Sequence, residues 1–228
     1  MLAALLMVSC ASRGEVLSSE SGRSGGDSVS LQRSPATAPR TVYLTWQGDT
    51  SRTMTVHFQA PIRLEFVPRG SVWKFLDYGP GPGSEWADLS FDDSGWKSGR
   101  APLGYGNGNE FTRVGFGSDA SKKRVTTYFR HSFECADART ASDLLFEIAR
   151  DDGAILYLNG KEVGRSNMPE GSVGSETLAK GTASDDGRAE QEIRVSSTLL
   201  RTGRNLVAVE VHQSSRKSSD IRLDLRLS

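Results

Sequence analysis

Apolar and polar residues alternate with a period of two through most of the second half of the chain. In NLVAVEVHQS (205–214), Leu206, Ala208 and Glu210 fall opposite Val207, Val209 and Val211. In IRLDLRLS (221–228), Leu223, Leu225 and Leu227 fall opposite the charged positions. A strand sends successive side chains to opposite faces, so these valines and leucines are expected in a core. Similar runs are IRLEFVP (62–68), SVWKFLDY (71–78), RVTTYFRHSFEC (124–135), DLLFEIA (143–149), AILYLNGKEVGR (154–165) and AEQEIRVS (189–196). Gly, Asn, Asp and Ser clusters separate them, and Asn159-Gly160 has the chemistry of a two-residue type I′ hairpin turn. Short strands joined by turn-rich segments predict an all-β fold, an antiparallel sandwich or jelly roll, over residues 61–228. Only STLLRTG, near Ser197, reads as a helical turn.

The first sixty residues follow a different pattern. MLAALLMVSCAS is an apolar run ending in small residues, too short to span a bilayer and suited to the core of a secretory signal. Residues 11–40 are rich in Ser, Gly and charge and are read as a flexible, disordered tether. In TVYLTWQGDTSRTMTVHFQA (41–60), alternating positions flank a polar turn, which predicts a hairpin with Val42, Leu44 and Trp46 on one face and Met54, Val56 and Phe58 on another.

Composition narrows the partners. Lys plus Arg and Asp plus Glu each number 28, so no net charge draws the chain to nucleic acid or an anionic membrane. The two cysteines, Cys10 and Cys135, form no zinc-ligand spacing with the three histidines.

Asp151-Asp152-Gly153 interrupts an apolar run and could be paired carboxylates or turn chemistry. Alternation would send adjacent Asp side chains to opposite faces, which favours a turn cap over a shared proton or metal. The Gly-rich loop 104–123 is long, and Tyr105, Asn107, Asn109 and Glu110 are its candidate ligand contacts. Among the four tryptophans, Trp86 beside a Gly/Pro loop is the candidate sugar-stacking surface, whereas Phe91 and Trp96 read as anchors around the Asp92-Asp93-Ser94-Gly95 turn. Asp92, Asp93 and Asp151 offer hard oxygen ligands for a structural calcium ion. His212, Gln213 and Asp220 show no nucleophile geometry, and Glu147 with Glu162 form a carboxylate pair only if the fold brings them together.

WADLSFDDSGWKSGRAPLGYG, TTYFRHSFE, RDDGAILYLNGKEVGRSNMP and GRNLVAVEVHQSSRKSSDIRLDLRL resemble a galactose-binding-like jelly-roll domain over about three quarters of the chain. Such domains are found in β-galactosidase-type glycoside hydrolases. The resemblance implies glycan or partner binding, sometimes a structural calcium, and often a packing role beside a catalytic domain. Residues 41–60 resemble the first strands of the fibronectin-like domain of purple acid phosphatases, to which jelly-roll modules are attached. The dimetal motifs of those enzymes are missing from this sequence, and Gly48-Asp49 matches one dipeptide only. MLAALLMVSC resembles a bacterial lipobox with Cys10 as the lipidated residue, although no Lys or Arg precedes the apolar run. A plain secretory signal is the alternative.

The sequence therefore points to a non-catalytic carbohydrate- or partner-binding module, secreted or held at the cell envelope by a lipid on Cys10. A remnant or accessory part of a metallophosphoesterase and a purely structural packing domain are the alternatives.

Overall fold

The computed structural model describes residues 64–183 and 187–228, and the backbone of two strands before them. Compact units divide at Arg63/Leu64. In the first, β1 (Thr41–Thr45) and β2 (Thr55–Gln59) pair antiparallel, with Val42 opposite Phe58 and Leu44 opposite Val56. The expected hairpin forms. Trp46, Met54 and the turn between them lie outside the described residues, as do the 1–10 signal segment, Cys10 and the 11–40 tether.

The second unit is an antiparallel β-sandwich of jelly-roll type. Its strands are β3 (Val72–Leu76), β4 (Lys97–Arg100), β5 (Leu103–Tyr105), β6 (Thr112–Arg113), β7 (Thr126–Cys135), β8 (Asp143–Asp151), β9 (Gly153–Leu158), β10 (Lys161–Ser166), β11 (Gln191–Ser196), β12 (Gly203–His212) and β13 (Ile221–Leu227). One sheet has the order β10-β9-β12-β7-β3-β4 and the other β11-β8-β13-β5-β6, with the short β5–β6 pair parallel. Among the described residues the helical content is two 3-10 turns, Ala138–Thr140 and Ser197–Leu199; the second is the turn expected near Ser197. The run at 62–68 is not a strand where described: Val67 makes a single bridge to Leu227. The missed strands β4, β5 and β6 are only two to four residues long, too short for a period-two signal.

Alternation places the core. Val207, Val209 and Val211 from one sheet meet Leu223, Leu225 and Leu227 from the other, together with Trp73, Phe129, Phe146 and Leu156. The asparagine-glycine turn between β9 and β10 has φ of 52° at Asn159 and 85° at Gly160, the left-handed values that a two-residue hairpin demands. At Gly104 a Cβ would lie 2.0 Å from the Ile221 carbonyl oxygen, so only glycine lets β5 approach β13. Cys135, at the end of β7, is a buried free thiol.

The outer face of the six-stranded sheet is covered as well. Leu206 and Ala208, on the other side of β12 from the core valines, pack with Leu76, Tyr128, Trp86 and Ala87 beneath the 78–96 loop. What pins that loop is Arg130, 1% exposed on β7. Its guanidinium donates to the carbonyls of Trp86, Asp88 and Phe91 and to Asp93 Oδ2, the last at 2.8 Å. The turn itself is closed by Ser94 N donating to Asp92 Oδ1 at 2.9 Å and Trp96 N to the Asp93 carbonyl at 3.0 Å. Phe91 and Trp96 anchor it as expected, their rings 5.8 Å apart edge to face.

Removing Arg130 would leave the Trp86 and Phe91 carbonyls and the Asp93 carboxylate without the donor that holds them, while the Asp88 carbonyl keeps the Phe91 amide. Arg130→Met is expected to cost about 3–5 kcal/mol in urea unfolding, whereas Asp92→Asn, in an exposed turn, should shift the unfolding midpoint far less.

Candidate functional site

Strand β8 ends at Asp151, so alternation does not carry through to Asp152, and the expectation that the two carboxylates stay apart is corrected. Asp152 is fully buried and accepts Ala183 N at 2.9 Å on Oδ1, and Ser214 N at 2.7 Å and Ser218 Oγ at 3.3 Å on Oδ2. The D-D-G reading expects it to cap the 151–153 corner, and it does not: its donors come from distant loops, and Gly153 is not among the left-handed glycines. Asp151 is 1% exposed, and its carboxyl shares side-chain hydrogen bonds with Asp152 and Asp220. Burial, then the charge of Asp220, then that of Asp152, push its carboxyl up to about 8. Tyr105 stands over the same place: Gln213 Nε2 donates to its hydroxyl at 2.8 Å, and burial, with the charges of Asp220, Asp152 and Asp151, raises the phenol's pKa.

A polar cavity of about 480 Å³ lies where the edge strands β10 and β11 flank the end of β8. Arg150, Ser166, Asn167, Thr182, Ala183, Ala189 and Gln191 line it. Arg150, 8% exposed, donates from Nε to Ser166 Oγ at 2.9 Å. Asn167 fixes one wall, its Nδ2 donating to the carbonyls of Asp152 at 3.0 Å and Gly181 at 2.6 Å. Thr182 Oγ1 lies 3.3 Å from Ser214 Oγ. The lining thus offers a guanidinium, two hydroxyls and two amide side chains.

The residues singled out from the sequence fall elsewhere; most have structural partners, whereas Asn107 Nδ2 is buried with none. Trp86 is not a surface platform: it is 6% exposed, edge to face with Tyr128 and Tyr157 at ring distances of 4.8 and 5.4 Å. The sheet face that it covers would otherwise be bare. Tyr105 is a core residue, packed on Phe116. Glu110 folds its own loop by accepting the Asn107 and Gly108 amides, and Asn109 Oδ1 accepts from Arg222 Nη1 at 2.8 Å. The aromatic that this loop does expose is Phe111, with the Arg100 guanidinium 4.9 Å from its ring centroid.

Asp92 is committed to the Ser94 turn and Asp93 to Arg130, so neither joins Asp151 in a calcium shell. Among the described residues no three His, Cys, Asp or Glu side chains are arranged to hold a metal ion. Glu147 pairs with Arg226 and Glu162 with Arg165, on different sheets, so they form no glycosidase pair. His212 is buried among Thr126 Oγ1, the Thr177 carbonyl and Glu210, away from any nucleophile arrangement with Asp220.

The sequence matches no family model, and no curated protein matches it. Solved structures similar to this chain include a β-glucuronidase from Bifidobacterium dentium (20% identity, 65% of this chain and 20% of that one, TM-score 0.40). Others are Bacteroides uniformis β-glucuronidase 2 (22% identity, 69% and 17%, TM-score 0.44) and a β-glycosidase from Bacteroides vulgatus (16% identity, 70% and 20%, TM-score 0.43). The chain spans a fifth or less of each of these structures. They are glycosidases, and the likeness of residues 41–60 to a phosphatase domain gains no support from them.

Asp151 sets a pH dependence whose direction follows from its raised pKa. Between an ordinary carboxyl value near 4 and about 8, the folded chain holds a proton that the unfolded chain releases, so stability falls as pH rises through that window. Urea unfolding between pH 5 and pH 8 is expected to show this decline, by up to about 1.4 kcal/mol per pH unit, and Asp151→Asn to flatten it.

Proposed function

We propose that residues 64–228 form a non-catalytic carbohydrate-binding module, with the cavity between β10 and β11 as its site. The observation that carries this reading is the cavity's chemistry. Five of its seven lining residues bring polar side chains, and its volume of about 480 Å³ falls within the roughly 300–1,000 Å³ of small-molecule clefts. Sugar hydroxyls act as both donors and acceptors, and the side chains of Gln191, Asn167, Thr182 and Ser166 complement them. Among the described lining residues there is no carboxylate pair and no nucleophile beside a base.

Gln191→Ala and Thr182→Ala are expected to lower affinity for a saccharide by about five- to tenfold each without changing the unfolding midpoint, as measured by calorimetry after a glycan-array screen. An array with no binder would sink the reading. Docking against a partner protein domain is a second possibility, favoured by Phe111, 66% exposed at the tip of the 104–123 loop. Phe111→Ser would then weaken docking and leave glycan binding untouched.

Secretion, with a lipid on Cys10, belongs to the same proposal and rests on the MLAALLMVSC segment alone. Expressed in a bacterium, the chain is expected to partition into detergent and to lose that partitioning as Cys10→Ser; a Cys10→Ser chain that partitions unchanged would remove the anchor.

A further inference from the structure

On β8, Leu144, Phe146 and Ile148 belong to the core between the two sheets, and alternation gives Arg150 the same face. Gln191 of β11, paired with Ile148, shares that face, and Ile193, one alternation further along, packs on the core. The inward row of the sandwich thus turns from apolar to polar at its end, where the cavity lies. Arg150 is 8% exposed, and its Nε donates across to Ser166 Oγ on the other sheet. Among the described residues this is the one hydrogen bond that its side chain makes, and no Asp or Glu forms an ion pair with it. Among the described lining residues it is also the one charged side chain. Asp152, behind the Ala183 wall, spends its oxygens on Ala183 N, Ser214 N and Ser218 Oγ. A guanidinium largely withdrawn from water and lacking a counter-anion is costly to keep, unless an anion from solution completes it.

We infer that the saccharide taken between β10 and β11 is an acidic one whose carboxylate or sulfate is held by Arg150, an inference that rests on reading this cavity as a saccharide site. The terminal Nη1 and Nη2 groups form a planar pair of donors that matches two oxygens of such an anion, and the Ser166 bond at Nε holds the plane in one orientation. Asn167, in left-handed backbone at φ 57°, ties its Nδ2 to the Asp152 and Gly181 carbonyls and so fixes the wall that carries Thr182. Thr182 and Gln191 are then left for the neutral hydroxyls of the sugar. Attraction to a single positive charge that water screens poorly gives acidic sugars a margin that neutral ones lack.

The full chain is tested on an array of matched triplets, each a neutral oligosaccharide with its uronic-acid and its 6-O-sulfated counterpart, and the strongest triplet is carried to calorimetry. An acidic member is expected to bind at least about tenfold more tightly than its neutral counterpart, with a margin that shrinks as salt rises. Preference for the uronic acid identifies a carboxylate ligand and preference for the sulfated sugar a sulfate; either supports the inference. Arg150→Gln is expected to weaken the acidic sugar about tenfold or more and the neutral one less than about twofold. Arg150→Lys, which keeps the charge without the fork, recovers part of that loss. If Arg150→Gln does not fold, the margin and its salt dependence in the unaltered chain decide. A neutral sugar bound as tightly as both acidic counterparts, or a margin that folded Arg150→Gln leaves intact, overturns the acidic assignment and leaves the binding module standing; an array without a binder overturns both.

Discussion

A guanidinium withdrawn from water is tolerable only when its donors are met, and meeting those of Arg130 organises one whole side of the sandwich. A sheet in a two-layer sandwich needs one face covered by its partner, and its other face is ordinarily left to solvent. Here the outer face of the six-stranded sheet carries Leu206, Ala208, Tyr128 and Leu76, which are too apolar to leave wet. The 78–96 loop covers them, and Arg130 is the fastening, gripping three loop carbonyls and Asp93. The two segments quoted for the jelly-roll resemblance, WADLSFDDSGW and TTYFRHSFE, are thus the two halves of one internal joint. Their residue types answer a folding requirement, and this is why Trp86, Phe91, Trp96 and Asp93 are committed to the joint.

The fold was largely legible because it rests on local periodicity. The alternation in β12 and β13 fixed which side chains meet in the core, and Asn159-Gly160 marked a hairpin through its left-handed backbone. Sites are a different matter, since they are assembled from residues far apart in the chain. Asp151 and Asp220 lie 69 positions apart in sequence, and only the pairing of β8 with β13, which sets Asp151 opposite Arg222, brings them together. Arg150 and Gln191 were likewise invisible: one continues an apolar run and the other opens a strand, and their meeting is a property of sheet order.

Trp86 is the instructive error. A tryptophan beside Gly and Pro reads as exposed when loops are assumed to lie over solvent, yet this loop lies over a sheet. Burial of such a residue depends on whether the surface beneath it is apolar, and that is decided by Tyr128, Leu206 and Ala208, more than forty positions away. The acidic turn failed for a related reason. Strand alternation separates adjacent carboxylates only while the strand continues, and β8 stops between the two.

Cys135, the free buried thiol at the end of β7, leaves the 64–228 unit without a covalent cross-link among its described residues. Such a sandwich owes its integrity to packing alone and folds as readily in a reducing compartment as in an oxidising one. It also carries an internal clock: the sulfur sits 3% exposed in the core cluster, so a maleimide reaches it only when this end of the sandwich opens, and the rate of that reaction counts those openings.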